Sequence, residues 1–137
     1  MPVRGVGVDL VHVPSFAEQL ALPGSRFRSV FSVGERADAI ARSLEPAQAA
    51  AYWAARWAAR EAVVKAWSAT MFGGPSPYGD EVLAQIEVAC DAWGRPRLRF
   101  RGDVAEALED YQASLSLSHD GDYAIAYVVL SDRPDLR

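Results

Sequence analysis

Residues 47–72 read AQAAAYWAARWAAREAVVKAWSATMF, and this stretch decides the fold. It holds eleven alanines and neither proline nor glycine, Pro46 precedes it, and Gly73-Gly74 follows it. Alanine has the highest helix propensity, proline suits the first turn of a helix, and glycine commonly ends one. The stretch therefore predicts one long helix. Large apolar side chains fall on different sides of it, so we expect the helix to be buried nearly all round. They are Trp53, Trp57, Val64 and Trp67.

The residues before this helix predict a strand followed by two shorter helices. Val3 to Val13 is rich in valine, which is typical of a strand. Phe16 to Leu22 is interpreted as a short helix that ends before a Pro-Gly pair. Ser32 and Glu35 have the spacing of a capping box, so another helix is expected to begin near Val33.

The residues after the long helix predict a loop, two strands and one more helix. Gly73 to Gly79 is a loop by its glycine and proline content. Gln85 to Asp91 and Arg95 to Arg101 both alternate in hydropathy, as half-buried strands do. Asp103 and Glu106 again have capping-box spacing. Apolar residues at helical spacing follow, namely Val104, Ala107, Leu108 and Tyr111.

The end of the sequence predicts a hairpin. SLSLSH and YAIAYVVL flank Asp120-Gly121, which is a strong turn signal. Strands and helices do not alternate one for one along the chain. We therefore expect an α+β fold, with the long helix packed on a largely antiparallel sheet, in a single domain over residues 1–137.

Composition excludes several classes of protein. The net charge of −4 argues against broad electrostatic binding of nucleic acid. No apolar run approaches the roughly 20 residues that span a bilayer, and the first residues lack a signal-peptide pattern, so a cytoplasmic protein is expected. With one cysteine, Cys90, and two histidines, His12 and His119, a cysteine-rich or multi-histidine zinc site is excluded. Any metal site must use carboxylate oxygens, which favours Mg²⁺.

Asp9 interrupts the apolar strand GVGVDLVHV. A carboxylate in a buried strand is costly unless it is paired or bound to a metal. The alternative is an ordinary strand-end aspartate that caps a neighbouring backbone amide.

Glu61 and Lys65 are four residues apart and share one face of the long helix. The simplest interpretation is an ion pair within the helix, worth about 0.3–0.5 kcal/mol. However, the surrounding segment is mostly apolar, and charges inside such a helix need a reason. Arg56 and Arg60 lie on another side, where they are either solvated charges or anion ligands.

Two further groups of residues have both a structural and a functional interpretation. Ser118 and His119 end a strand beside the hairpin turn, where a histidine is more often structural than functional. Alternate arginines from Arg95 to Arg101 form either the solvated face of an edge strand or a site for an anion or an acidic partner.

Taken together, five segments resemble the holo-[acyl-carrier-protein] synthases of the 4′-phosphopantetheinyl transferase superfamily. The segments are GVDLV, FSVGE, WAAREAVVKA, GRP and SLSHDGDYAIA, in that order along nearly the whole chain. GVD and the E-A-x-x-K-A run are specific in combination, whereas SLSH alone would be a weak signal.

The resemblance implies a small α+β fold and a Mg²⁺-dependent reaction. Such enzymes transfer 4′-phosphopantetheine from coenzyme A to a serine hydroxyl of an apo acyl carrier protein and release 3′,5′-ADP. The resemblance also implies a homotrimer with its active sites between subunits. The resemblance does not decide which group is the general base; the candidates are Glu61 and a water bound to the metal.

The resemblance also assigns roles to individual residues. Asp9 and Glu61 are expected to hold Mg²⁺ and, with Lys65, to form the catalytic group; Lys65 is expected to contact phosphates. The coenzyme A site is expected to be lined by Arg56, Arg60, Lys65, Ser118 and His119, the last two provided by this subunit or a neighbouring one. Gly94, Arg95 and Pro96 are expected near the adenosine end.

The chain departs from the family pattern in two places. The family usually has lysine before the glutamate of the helix motif, where this chain has Arg60. Arginine keeps the charge but changes its geometry, so phosphate binding is the expected role. The loop that follows Gly73 is longer than usual and either covers the ligand or is mobile.

Acyl carrier proteins are acidic, and this chain is acidic as well. Residues 1–67 carry eight basic and six acidic side chains, and residues 68–137 carry six and twelve. A local basic patch in the first half must therefore recruit the carrier protein. The candidates are Arg26, Arg28, Arg36 and Arg42, of which Arg26 and Arg28 are the expected docking residues; the alternative is that these arginines are only scattered solvated charges.

Two other functions remain open from the sequence. One is a catalytically idle paralogue that only binds coenzyme A or a carrier protein. The other is a small oligomeric scaffold with incidental charges. A carrier protein of either fatty-acid or polyketide synthesis is compatible with the sequence.

Overall fold

The fold is built around one long helix with a three-stranded sheet against it. The computed structural model describes residues 2–134. Its strands are β1 (Val3–His12), β2 (Ile86–Cys90), β3 (Pro96–Phe100), β4 (Tyr111–Asp120) and β5 (Tyr123–Asp132). Its helices are α1 (Val13–Ala21), α2 (Arg26–Ser29), α3 (Val33–Ala41), α4 (Pro46–Ala69), α5 (Asp80–Ala84) and α6 (Gly102–Ala107).

The strands form two antiparallel sheets. The larger sheet has the order β1-β5-β4, and β2 and β3 form a separate hairpin. Helix α4 packs against β1 and β5, and its middle turns are buried on nearly every side. The α+β class and the long buried helix predicted from the sequence are therefore confirmed.

Two glycines of β1 allow this strand to lie directly on α4. A Cβ atom on Gly5 would stand 2.0 Å from the carbonyl oxygen of Ala66, and one on Gly7 would stand 1.9 Å from that of Ala62. Real Cβ atoms do not approach a carbonyl oxygen so closely, so only glycine fits at either position. The close approach brings the next part of β1, including Asp9, beside the same face of α4.

A buried ion pair connects α3 to α4. The side chains of Glu35 and Arg60 are fully buried, and Arg60 Nη2 donates to Glu35 Oε1 at 2.6 Å. Glu35 Oε2 also accepts from Arg60 Nη1 and from the backbone amide of Val88, each at 3.0 Å. Burying two charges is costly unless their hydrogen bonds are satisfied, as they are here. The pair fixes the position of α4 relative to α3 and β2.

The local signals before α4 predicted its neighbours well. Helix α3 begins at Val33 with a complete capping box between Ser32 and Glu35, as predicted. The strand predicted over Val3–Val13 is β1, which ends one residue earlier.

The signals after α4 were partly wrong. The capping box predicted from Asp103 does not form, because α6 begins at Gly102 and Asp103 therefore lies within its first turn; the Val104 amide donates to the Gln85 side chain at 2.9 Å. Tyr111 was predicted to be helical, but it begins β4 because it pairs with Asp132 of β5. The short helices α2 and α5 were not predicted.

One face of the larger sheet is apolar and exposed in the single chain. Val6, Val8 and Leu10 of β1 alternate outward there, beside Ile125 and Tyr127 of β5. No helix within residues 2–134 is both long enough and apolar enough to cross a membrane.

Candidate active site

Asp9 on β1 and Lys65 on α4 form an ion pair. Lys65 Nζ donates to Asp9 Oδ1 at 3.2 Å and to the carbonyl oxygen of Val8 at 2.9 Å. The side chain of Asp9 is 16% exposed and that of Lys65 is 54% exposed. Among the described residues, Lys65 therefore pairs across to the strand and not with Glu61 within its own helix, and Asp9 caps no backbone amide.

Glu61 lies close enough to Asp9 to affect its ionisation. Burial raises the pKa of Asp9 above its ordinary value, the bond to Lys65 lowers it, and the charge of Glu61 raises it again. Two carboxylates with one ammonium group between strand and helix leave excess negative charge at this position. A cation beside both carboxylates would relieve it.

A tyrosine from the loop before α5 contacts the other carboxylate. Tyr78 Oη donates to Glu61 Oε1 at 2.8 Å. Burial raises the pKa of the Tyr78 hydroxyl and the hydrogen bond to Glu61 raises it further, whereas Arg26 lowers it. The net shift is upward, so the hydroxyl keeps its proton as a donor. The sequence pointed to the length of this loop but gave no signal that Tyr78 would reach the helix.

The loop is also attached to α2. Arg26 Nη2 and Asp80 Oδ1 form an ion pair at 2.9 Å. The guanidinium of Arg26 lies 5.2 Å from the centre of the Phe27 ring and 5.6 Å from that of Trp57. Because Trp57 is one helical turn before Glu61, Arg26 links the loop to the same face of α4.

An open groove of about 450 Å³ runs past the two carboxylates. Asp9 and Glu61 lie on its wall together with His12, Phe16 and Trp57. This volume lies within the range of small-molecule sites. Among residues 2–134, no cluster of three or more His, Cys, Asp or Glu side chains could hold a metal.

A second pocket, of about 250 Å³, contains several of the other predicted residues. Arg56 of α4 lines it together with Ser118 and His119 of β4, so the structure brings these three predicted residues together. The side chain of Arg56 lies with its guanidinium carbon 3.7 Å from the centre of the Tyr52 ring. This pocket shares no lining residue with the groove beside Asp9.

Arg56 has an incompletely satisfied guanidinium. The residue is only 7% exposed, and its Nε has no hydrogen-bond partner among the described residues. Its Nη2 has only the weak contact to Cys90 Sγ at 3.4 Å, besides the Tyr52 ring. A guanidinium that lines a pocket and pairs with no carboxylate among the described residues is suited to an anionic ligand.

The Gly94-Arg95-Pro96 turn lies near this pocket. It joins β2 to β3, and Pro96 pairs with Cys90, the residue whose sulfur contacts Arg56. The side chain of Arg95 is 73% exposed and bonds to Asp91 at 2.6 Å. The turn thus lies at the Arg56 end of the fold, with the Arg95 side chain in solvent.

The prediction that Arg60 contacts coenzyme A is wrong. Arg60 is completely buried, and its nitrogens donate to Glu35 and to three backbone carbonyl oxygens. No N–H donor of Arg60 faces either pocket, because its guanidinium is already paired with Glu35 on α3. The role of Arg60 is therefore structural.

The predicted docking residues, Arg26 and Arg28, lie on the short helix α2. Arg28 Nε donates to the carbonyl oxygen of Leu20 at 2.8 Å, which holds α2 against the end of α1. Arg26 already pairs with Asp80.

On β3, Arg97 and Arg99 are exposed and form no ion pair with any described residue, whereas Arg101 pairs with Glu87.

Comparison with known proteins identifies the family. The sequence model of the 4′-phosphopantetheinyl transferase superfamily matches residues 5–128. A holo-[acyl-carrier-protein] synthase of Mycobacterium leprae is 45% identical over 130 residues, which cover 95% of this chain and 98% of the relative.

Two solved structures are also similar. The ACPS-CoA complex of Chronobacterium ammoniagenes has 46% identity and a TM-score of 0.84, covering 93% of this chain and 96% of that one. The acyl carrier protein synthase of Mycobacterium tuberculosis has 43% identity and a TM-score of 0.78, covering 96% and 100%.

Proposed function

Because the chain belongs to the 4′-phosphopantetheinyl transferase superfamily, we propose that it is a holo-[acyl-carrier-protein] synthase. In this proposal a single transferase domain moves 4′-phosphopantetheine from coenzyme A to a serine hydroxyl of an apo acyl carrier protein and releases 3′,5′-ADP. The observation that carries the proposal is the cluster of Asp9, Glu61 and Lys65, which two close-packed elements hold beside an open groove. The carrier protein would serve fatty-acid or polyketide synthesis in the cytoplasm.

The residues of this cluster fit a magnesium ion. Asp9 and Glu61 supply hard oxygen donors. Burial is the main cause of the raised pKa of Asp9, and repulsion from Glu61 raises that pKa further. Mg²⁺ in phosphate-transfer sites is commonly held by one or two carboxylates, with substrate phosphates and water completing its shell. A pair of carboxylates matches that pattern. When bound, the ion would neutralise the charge that develops on the phosphoryl oxygens.

Lys65 adds a compact positive charge to the same position. Its ammonium group is half exposed and is oriented by Asp9 and by the Val8 carbonyl oxygen. A lysine held in this way can donate to a pyrophosphate oxygen while Asp9 keeps it in place. Phosphoryl transfer depends mainly on positioning and on charge stabilisation, and these residues supply both.

The Arg56 pocket is proposed to bind the phosphate and adenosine end of coenzyme A. Arg56 has an unsatisfied buried N–H, and Ser118 and His119 line the same pocket. The Gly94–Pro96 turn lies beside it, through the pairing of Pro96 with Cys90. Arg95 is proposed only as a residue at the edge of this site, since its side chain faces solvent.

We propose that the active form is a homotrimer. The apolar sheet face around Val8, Leu10 and Tyr127 is exposed in the single chain and is suited to a second copy. In one chain, the Asp9 groove and the Arg56 pocket are lined by separate sets of residues. A site completed between two copies would bring the two sets to one coenzyme A molecule.

The acidic carrier protein is proposed to dock at Arg26 and Arg28. The chain carries a net charge of −4, so attraction must come from a local patch and not from the whole molecule. Both arginines lie on α2, and Arg26 is linked to the Asp9 groove through Trp57. Docking there would bring the carrier serine to the open side of the groove.

Intact-mass spectrometry of an apo acyl carrier protein tests the proposed transfer. The carrier is incubated with this protein, coenzyme A and Mg²⁺, with a parallel sample in EDTA. The expected result is a gain of one phosphopantetheine that EDTA abolishes. No gain with several carriers, together with a rise in melting temperature on adding coenzyme A, would instead support the idle paralogue. No gain and no rise would contradict both.

A further inference from the structure

The Tyr78 hydroxyl makes a direct contact with the proposed metal-binding carboxylate. Tyr78 Oη donates to Glu61 Oε1 at 2.8 Å, and no other hydrogen bond to the Glu61 side chain is formed by a residue in the described range 2–134. Glu61 Oε2 is therefore the oxygen left without a protein donor. The carboxylate is held at one oxygen only, and Glu61 lines the groove beside Asp9.

Neighbouring contacts hold Tyr78 in this position. Asp80, two residues later, pairs with Arg26 at 2.9 Å, and Arg26 lies over the rings of Phe27 and Trp57. The loop is thus attached to α2 at Asp80 and to α4 at Glu61. Because the loop is held at both residues, the Tyr78 hydroxyl has a defined position beside Glu61 Oε1.

We propose that Tyr78 is a positioning residue for Glu61. By holding Oε1, it fixes the orientation of a side chain with three rotatable bonds and directs Oε2 towards the divalent cation. Residues that hydrogen-bond to metal ligands commonly set metal affinity in this way. The inference rests on the proposed function, because it assigns Glu61 as a ligand of Mg²⁺.

The contact also favours one metal over another. Mg²⁺ requires short, near-octahedral bonds, whereas Ca²⁺ often takes both oxygens of one carboxylate. With Oε1 bonded to Tyr78, Glu61 has a single free oxygen to offer. Removal of the hydroxyl is therefore expected to weaken Mg²⁺ more than Ca²⁺.

Isothermal titration calorimetry with Mg²⁺ or Ca²⁺, in saturating coenzyme A and without carrier protein, tests the inference. Tyr78→Phe removes the hydroxyl and keeps the ring, which is already half exposed, so the fold is not at risk. Tyr111→Phe is the matched control, because the Tyr111 hydroxyl has no hydrogen-bond partner among the described residues and lies in β4. We expect Tyr78→Phe to weaken Mg²⁺ binding about 10- to 100-fold and to lower the Mg²⁺:Ca²⁺ affinity ratio, and we expect Tyr111→Phe to match the wild type.

The other outcomes are equally definite. An Mg²⁺ affinity in Tyr78→Phe within about twofold of wild type, or tighter, would overturn the positioning role while leaving the proposed function intact. Tighter binding would show that Tyr78 obstructs Glu61. An equal loss for both metals would overturn the selectivity argument. If wild-type protein bound no Mg²⁺ in the presence of coenzyme A, the metal assignment in the proposed function would fail together with this inference.

Discussion

Gly7 and Ala62 are in such close contact that a Cβ atom on Gly7 would lie 1.9 Å from the Ala62 carbonyl oxygen. This contact sets the distance between β1 and α4, and therefore the distance between Asp9 and the side chains of Glu61 and Lys65. The first motif of the sequence thus has two parts with different roles. Gly7 lets β1 lie close to α4. Asp9, two residues later, is thereby held beside Glu61 and Lys65.

Gly7→Ala is expected to destabilise the fold and to impair the site. The new methyl group forces β1 away from α4, and such overpacking costs about 1–3 kcal/mol. Chemical denaturation would measure the loss of stability. Gly74→Ala is the control, because a Cβ atom there would meet only the Met71 carbonyl oxygen, at 3.3 Å, and φ is not positive. Equal stability of the two variants would contradict the close-packing argument.

Arg56→Gln is expected to raise the KM for coenzyme A about 10- to 100-fold. A hydrogen bond to a charged group is worth about 1.5–3 kcal/mol, and Arg56 lines the pocket without an ion-pair partner among the described residues. Steady-state kinetics at fixed carrier concentration would measure the change. Arg97→Gln removes an exposed arginine on β3 and should leave this KM unchanged. If both variants behaved like wild type, the Arg56 pocket would not be the coenzyme A site.

Arg28→Glu is expected to raise the KM for the carrier protein and to leave the KM for coenzyme A nearly unchanged. Reversing a charge at a docking surface weakens encounter with an acidic partner, and the effect should shrink as salt is added. Arg99→Glu on β3 is the matched reversal outside the proposed surface. The docking assignment fails if Arg28→Glu and Arg99→Glu have the same carrier KM.

Asp9→Asn is expected to raise the melting temperature near pH 7 while abolishing transfer. Burial raises the pKa of Asp9 in the folded state, so its ionisation favours the unfolded chain at neutral pH. Below the ordinary aspartate pKa of about 3.9 the side chain is protonated in both states, and the advantage of asparagine should vanish. Melting curves at several pH values would measure it. A lower melting temperature for Asp9→Asn at pH 7 would mean that the Lys65 pair outweighs desolvation.

Local sequence patterns predicted the elements whose stability is itself local. The capping box at Ser32 and Glu35 formed as predicted, because both of its hydrogen bonds lie within four residues. The same reasoning failed at Asp103, because α6 begins one residue earlier at Gly102, where the distant Gln85 side chain accepts from the Val104 amide. The spacing of four residues between Glu61 and Lys65 correctly put both on one face of α4, although each pairs with a residue outside the helix.

Contacts between distant segments set the limit of what the sequence could predict at the site. A phosphate-binding role was predicted for Arg60 because the sequence shows its charge but not which residue forms an ion pair with it. That partner, Glu35, lies 25 residues earlier and meets it only in the folded core. Tyr78 could not be predicted either, because the path of a Gly/Pro-rich loop depends on the pairing of Arg26 with Asp80.

The rate of phosphopantetheine transfer by Glu61→Ala, measured beside Glu106→Ala, tests the central claim most directly. Glu106 lies exposed on α6, outside both pockets, so its variant controls for loss of a glutamate. If Asp9, Glu61 and Lys65 form the transfer site, Glu61→Ala should lose transfer by more than the about 10- to 100-fold that loss of a residue bonded to a metal ligand costs, while Glu106→Ala keeps the wild-type rate. Transfer by Glu61→Ala at the wild-type rate would contradict the account.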